Sequence, residues 1–356
     1  MQRRLPIFFV IDVSESMAGE ELYQLEEAMR SVVSTLRKDP HALETAFISV
    51  IAFAGKSMTL VRLTELISFR QPELPIGGGT GLGGAMAHVM DEIDAQVISS
   101  TKDQKGDWRP VVFLFTDGRP TDKTSSAVER WNRKYRNRAN LVAVSLGGQA
   151  DHAVLSRLTD NVLVFMDTAP DAFARFAQWV SLSIQSQSRS VKAGDDARVN
   201  LSKLDQELMG VAASDNENSA WSTVDERFAC LVGRCEKSKN PYLMKFARDP
   251  GQIAQLDLPS GFNPEFILKV ILPLHQSYFE LTADGDSAAS VNSALLVGQG
   301  PCPHCGAEFA LAMCGNCQNT HCVSGPGRYI CPWCEDTADY GFGDASEGMQ
   351  VNRGRG

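Results

Sequence analysis

The stretch Pro6-Ile-Phe-Phe-Val-Ile-Asp12-Val-Ser-Glu-Ser16 sets the reading of the whole chain. Its first half is apolar on every residue up to Asp12, with no polar alternation. Such a run suits a strand buried on both faces, which is the habit of parallel sheets covered by helices. Reading outward, Glu20–Lys38 carries Leu22, Leu25, Met29, Val32, Val33 and Leu36 at helical spacing. Ala46–Phe53 and Ser57–Leu63 read as strands, and Leu82–Ile98 as a helix with Met86, Val89, Met90, Ile93 and Val97 on one face. Val111–Thr116, Leu141–Leu146 and Val162–Phe165 are further apolar strands, with helices expected at 123–138, 150–159 and 170–188. Apolar strands alternating with helices predict a doubly wound, mostly parallel α/β domain over residues 1–190.

Beyond it the pattern changes. Residues 191–220 are rich in Ser, Asp, Asn and Gly and read as a linker with one short helix near Leu201–Met209. Residues 221–300 hold short β-like runs at Phe228–Val232, Tyr242–Phe246, Phe266–Leu272, Tyr278–Leu281 and Ala294–Val297, and predict a small β-rich module. A cysteine-rich module at 301–336 follows, then a polar, Gly-rich tail at 337–356 expected to be disordered.

With 356 residues and 43% hydrophobic content the chain is long enough for two or three domains with real cores. The formal net charge of -9 argues against a general nucleic-acid coat or a basic membrane-surface binder. No apolar run reaches the ~18 residues that span a bilayer. The short apolar start runs into Asp12 without a small-residue cleavage site, so a cytoplasmic protein is expected.

Three segments carry the chemistry of the first domain: Asp12-Val-Ser-Glu-Ser16, Gly77-Gly-Gly-Thr80-Gly81 and Thr116-Asp117-Gly118. In a doubly wound sheet the ligand crevice lies beyond the carboxyl ends of the strands, where the first and third segments fall. Alone, an Asp or Ser after a strand is usually a cap or turn former. Together, Asp12, Ser14, Ser16, Thr80 and Asp117 offer two carboxylates and three hydroxyls, a hard oxygen set suited to Mg2+ or Mn2+. Asp122 reads either as a carboxylate behind that set or as a helix cap.

The nine cysteines are uneven: none precedes Cys230, and seven lie between Cys302 and Cys334. In a chain without a secretory signal this points to a local metal site rather than a disulfide scaffold. Cys302-x2-Cys305, Cys314-x2-Cys317 and Cys331-x2-Cys334 are zinc-knuckle spacings, with Cys322 between the last two. Seven thiols plus His321 or His304 make two Zn2+ sites the economical assignment, and one zinc with spare thiols the alternative. The site reads as structural. Cys230 and Cys235 read as buried apolar residues.

The segments DVSES, GGGTG and FTDGRPTD resemble the metal-ion-dependent adhesion site (MIDAS) of the von Willebrand factor type A family, over residues 5 to about 185. That resemblance implies Asp12, Ser14, Ser16, Thr80 and Asp117 as ligands of the ion, with an open position that takes a partner's carboxylate. Many members have Thr-Pro where this chain has Thr80-Gly81. With its cysteine-rich C-terminus the chain is similar to TerY-like proteins of tellurite-resistance and stress-response systems. The resemblance implies a non-enzymatic cytoplasmic scaffold with a protein kinase and a protein phosphatase as partners. A metal-assisted phosphoester hydrolase is the runner-up; no second metal set, general base or phosphate loop supports it. A nucleic-acid binder acting through the zinc module is the third reading, and the acidic balance weighs against it. The basic run Arg130, Arg133, Lys134, Arg136 and Arg138 reads as a solvated helix face, and His88 as a surface or capping residue.

Overall fold

A computed structural model describes residues 3–101, 105–146, 150–165, 177–185, 209–211, 227–248, 265–283, 289–341 and 348–354. The expected linker at 191–220 lies outside these residues except for 209–211, as does the short helix near Leu201–Met209. The chain forms two compact units. One comprises Met1–Val13, Glu20–Leu74 and Thr80–Trp221; the other comprises Ser14–Gly19, Pro75–Gly79 and Ser222–Gly356.

The first unit contains β1 (Leu5–Asp12), α1 (Glu20–Leu36), α2 (Pro40–Thr45), β2 (Ala46–Phe53), β3 (Ser57–Glu65), α3 (Leu82–Gln96), β4 (Val111–Thr116), α4 (Ser125–Arg130), β5 (Asn140–Leu146), α5 (His152–Leu158), β6 (Val162–Phe165), α6 (residues 177–185) and β7 (Met209–Val211). The sheet order is β3-β2-β1-β4-β5-β6-β7. The five inner strands β2, β1, β4, β5 and β6 are parallel, and β3 and β7 close the edges antiparallel. This is the doubly wound sheet that the apolar runs predict. β1 and β4 are buried on every residue, as strands covered on both faces must be. Phe8, Val10, Val112 and Leu114 pack on one face with Met86, Val89, Met90 and Ile93 of α3, with α4 and with α5. Phe9 stacks on Phe113 on the other face, where Trp179 of α6 meets Phe113 edge-on. The α1 stripe Leu22, Leu25, Met29, Val32, Val33 and Leu36 is buried throughout.

Lys134, Arg130, Arg136 and Arg138 of the basic run pair with Asp94, Asp91 and Asp160. The Tyr135 hydroxyl donates to Asp94 at 2.6 Å. The run lies on the helix surface, as its spacing predicts, but it is ion-paired there rather than simply solvated.

The second unit contains β8 (Phe228–Arg234), β9 (Pro241–Arg248), β10 (Phe266–Pro273), α7 (Ser277–Leu281), β11 (Ser290–Asn292), β12 (Leu296–Val297), β13 (Phe309–Met313), β14 (Thr320–Val323), β15 (Gly327–Ile330), β16 (Thr337–Tyr340) and β17 (Gln350–Asn352). Its main sheet runs β12-β10-β9-β8-β14-β13. β8, β9, β10 and β12 of 221–300 and β13 and β14 of the cysteine-rich segment therefore share one sheet, joined where β14 pairs with β8. Two expectations differ from the structure. Tyr278–Leu281 is helical rather than extended, because Tyr278 and Leu281, three apart on α7, are the buried pair. The tail is not structureless: β16 pairs with β15 and β17 with β11, and Val351 is buried in the unit's core.

Candidate functional site

In the first unit the strand ends gather the oxygens. Asp12 ends β1 and is wholly buried, and its Oδ2 accepts the Thr116 hydroxyl at 2.6 Å. Asp117 follows Thr116 at the end of β4 and is also buried. Thr80 lies against this turn: a methyl added at Gly118 would stand 3.2 Å from Thr80 Oγ1. The Thr80 amide donates to Thr121 Oγ1 at 2.9 Å. Asp122 caps the N-terminus of α3, accepting the amides of Gly83 at 3.0 Å and Gly84 at 2.8 Å. The cap reading placed Asp122 at the start of the helix that follows it; instead Thr124 occupies the N-cap of α4, and Asp122 serves the helix that precedes it in sequence.

Gly81 cannot be exchanged freely for proline. Its amide donates to the Ala54 carbonyl at 2.6 Å, and a Cβ there would come within 2.8 Å of the Gly55 carbonyl oxygen. His88 bonds Ser57 and Thr59 of β3 through its two ring nitrogens, 2.9 and 2.8 Å, and so ties α3 to the edge strand.

Ser14 and Ser16 belong to the second unit, with their hydroxyl oxygens 2.9 Å apart. Ser14 forms a parallel bridge to Gly77. Glu15, between the serines, accepts the Tyr278 hydroxyl at 2.5 Å. Burial first, then the neighbouring Glu15 charge, push the Tyr278 hydroxyl well above its ordinary range, so it stays a donor. The Lys245 ammonium donates to the carbonyls of Ser16 and Ala18.

The cysteines form two groups of four: Cys235, Cys302, Cys305 and Cys322, and Cys314, Cys317, Cys331 and Cys334. Within them Cys305 and Cys322 lie 3.6 Å apart, and the pairs Cys314–Cys334 and Cys317–Cys331 lie 3.7 Å apart. A disulfide would need about 2.05 Å. Four sulfurs around zinc at about 2.3 Å stand about 3.8 Å apart in a tetrahedron. The thiol sets therefore fit Zn2+ and not disulfides, which supports two sites over one.

Two corrections follow. His321 is not a ligand: its Nε2 meets the Tyr340 hydroxyl at 2.7 Å and its Nδ1 the Cys322 carbonyl at 3.2 Å. His304 stands outside both groups as well, with Nε2 2.8 Å from the Pro241 carbonyl. The eighth thiol of the two groups is Cys235, which from the sequence reads as a core residue. Cys230 does lie there, among Ala18, Leu243, Leu274 and Tyr278.

Cys235 heads a fourth knuckle of the same backbone form. In each, the amide four residues on donates to the first cysteine's carbonyl at 2.9 Å: Lys239, Gly306, Gln318 and Glu335 to Cys235, Cys302, Cys314 and Cys331. All four donors have positive φ, from 58 to 73°, as this turn demands. The signal was present in sequence: Cys235-Glu-Lys-Ser238-Lys-Asn240 matches Cys314-Gly-Asn-Cys317-Gln-Asn319 with serine in place of the second cysteine. The amide of Ser238 donates to Cys235 Sγ at 3.4 Å. Burial raises the Cys235 thiol, but bonds from Ser238 outweigh it and bring it to about 6. Burial is likewise opposed at Cys314 by bonds from Cys317 and Asn316, which leave it at about 7. Burial pushes the Cys302, Cys317, Cys322 and Cys331 thiols up instead, so zinc, which binds the thiolate, would displace their protons.

Residues 7–178 match the von Willebrand factor type A domain family. Residues 225–356 match the TerY-C metal binding domain. The chain belongs to the proteins that join these two domains, and the cysteine clusters make it a metal-binding protein.

Among curated proteins it is 27% identical over 197 residues to the magnesium-chelatase 67 kDa subunit of Heliobacterium mobile, covering 53% of this chain but only 28% of that protein. Among solved structures, a von Willebrand factor type A protein from Catenulispora acidiphila is 18% identical, with 51% of this chain and 43% of that chain covered and a TM-score of 0.40. Proximal thread matrix protein 1 from the mussel byssus, described with a zinc-occupied MIDAS motif, is 16% identical, with 52% and 46% covered and a TM-score of 0.38. Among the described residues no helix is long and apolar enough to cross a membrane.

Proposed function

We propose that the chain is a non-enzymatic, divalent-metal-dependent protein-binding scaffold. Asp12, Ser14, Ser16, Thr80 and Asp117 would hold Mg2+ or Mn2+, and a carboxylate of a protein partner would complete the coordination. The observation that carries this reading is the placement of Asp12, Thr80 and Asp117 around the ends of β1 and β4, with Thr116 orienting the Asp12 carboxylate at 2.6 Å. Ser14 and Ser16 follow Asp12 directly in the chain. The set is oxygen-only, which suits a hard cation. A cation held by few charged oxygens keeps attraction for an anionic group. The cysteine clusters would be structural, since two zinc ions would use every thiol in them as a ligand.

By similarity to TerY-like proteins, the setting would be a cytoplasmic stress-response or defence system of the tellurite-resistance type. A protein kinase and a protein phosphatase would be the partners. The test is a pull-down from the native cell with Mg2+ and with chelator. Partners retained only with Mg2+, and lost with Asp117→Ala, support the reading; partners retained equally in chelator refute it.

The likeness to a magnesium-chelatase subunit favours a second reading, a part in an enzyme assembly. Phosphoester turnover that disappears in Asp117→Ala would promote it.

A further inference from the structure

We infer that Lys245 and Tyr278 are positioning residues for the proposed Mg2+ or Mn2+ site: they grip the Ser14–Gly19 loop and fix where its two serine hydroxyls stand. The inference rests on the reading of Ser14 and Ser16 as ligands.

Lys245 lies in β9 with 3% of its surface exposed. A lysine in such a place is costly unless its ammonium is hydrogen-bonded. Its Nζ donates to the carbonyls of Ser16 and Ala18, the latter at 2.9 Å. These carbonyls flank the end of the single 3-10 turn Glu15–Met17, where a helix leaves its acceptors without internal donors. Exposed to water, they would need no lysine. The cation therefore sets the position of Ser16 from behind.

Glu15 repeats the arrangement one residue earlier. It is wholly buried between the two serines, and Tyr278 of α7 donates to it. The Tyr278 ring is fixed in the cluster of Ala18, Cys230, Leu243 and Leu274. Gly354 packs so close that a methyl there would fall 2.1 Å from Glu15 Oε1. The loop before Thr80 is held too: the Gly78 amide donates to Thr282 Oγ1 at 3.0 Å. Metal ligation by serines requires neither a buried Glu between them nor a buried lysine some 230 residues later. Both make sense if Lys245 and Tyr278 orient the two serines, much as hydrogen-bond partners behind a metal ligand commonly do.

The test is Mn2+ titration calorimetry on the zinc-loaded full chain, comparing wild type, Lys245→Met, Lys245→Arg and Tyr278→Phe, with zinc counted for each. Removing an orienting partner typically weakens metal affinity about 10–100-fold. Lys245→Met and Tyr278→Phe should each weaken Mn2+ binding about tenfold or more with zinc retained, and Lys245→Arg should recover most of the loss. A purely structural lysine would lower thermal stability without moving the Mn2+ affinity. Variants that keep zinc and bind Mn2+ within twofold of a binding wild type overturn this inference alone. If Lys245→Met loses zinc, Tyr278→Phe decides by the same criterion. A wild type that binds no Mn2+ overturns the ligand reading and this inference with it.

Discussion

Replacing Cys235 by alanine tests the ligand that the structure adds to the zinc module. Cys235 directly follows β8, and Cys322 sits in β14, which pairs with β8 through Thr320–Gly233 and His321–Arg234. The Cys235–Cys302–Cys305–Cys322 group thus pins two strands and one knuckle at the middle of the six-stranded sheet. A structural zinc contributes about 10–16 kcal/mol of apparent folding free energy. Shared evenly over four thiolates, one ligand is worth about 3 kcal/mol on that figure, or roughly a hundredfold in zinc affinity. Cys235→Ala should bind one zinc tightly and a second at least a hundredfold more weakly. Hydrogen exchange should rise along β8 and β14 and change little in β15 and β16. Cys230→Ala is the control: Cys230 is equally buried but belongs to an apolar cluster, so both zinc ions should remain. The assay is competitive zinc titration with elemental analysis. Two tight zinc ions in Cys235→Ala, or loss of one in His321→Ala instead, would refute the assignment.

Two further outcomes follow from the first unit. Gly81→Pro deletes the amide bond to Ala54 and drives a ring toward the Gly55 carbonyl, so it should cost about 1–3 kcal/mol in denaturant unfolding through the orphaned Ala54 carbonyl, whereas a neutral substitution would show that the loop adapts. At Asp94, burial raises the carboxyl, but hydrogen bonds from Lys134 and Tyr135 and the charges of Lys134 and Arg138 outweigh it and hold it below its ordinary value; a lowered folded-state value stabilises above the unfolded carboxylate range and is lost as pH falls through it. Asp94→Ala should therefore lower the thermal midpoint by about 2 °C at neutral pH and by nothing near about pH 2, and a difference that persists in acid would contradict this.

The first unit was legible because its signals are physical and local. PIFFVID has no polar residue before Asp12, and only a strand covered on both faces tolerates that. The α1 stripe shows its period in six residues, all of which are buried. The parallel pairing of β1 and β4 then brings Asp12 and Asp117 together at the carboxyl ends of adjacent strands by topology alone. The knuckle spacings were equally plain. What was missed depends on contacts between distant parts of the chain. Cys235 lies 67 residues before Cys302 in sequence, and Ser238 hides its knuckle from a search for paired cysteines. His321 sits next to a ligand but turns to Tyr340; spacing does not show side-chain direction. Gln350–Asn352 is polar at two of three positions, so a strand that pairs only with β11 left no period to read. Ser14–Gly19 groups with the second unit through contacts to residues far along the chain, among them Lys245 and Tyr278, that no local pattern marks.

The central claim is that hydroxyls and carboxylates of DVSES, GGGTG and TDG hold one divalent cation. The direct measurement is Mn2+ titration of the zinc-loaded chain by calorimetry, wild type against Asp117→Ala. A direct carboxylate ligand should matter more than the groups that merely orient it, whose removal costs about 10–100-fold. The account predicts one Mn2+ per wild-type chain and affinity reduced by more than about a hundredfold in Asp117→Ala, with both zinc ions retained. Equal Mn2+ affinity in the two proteins would contradict it.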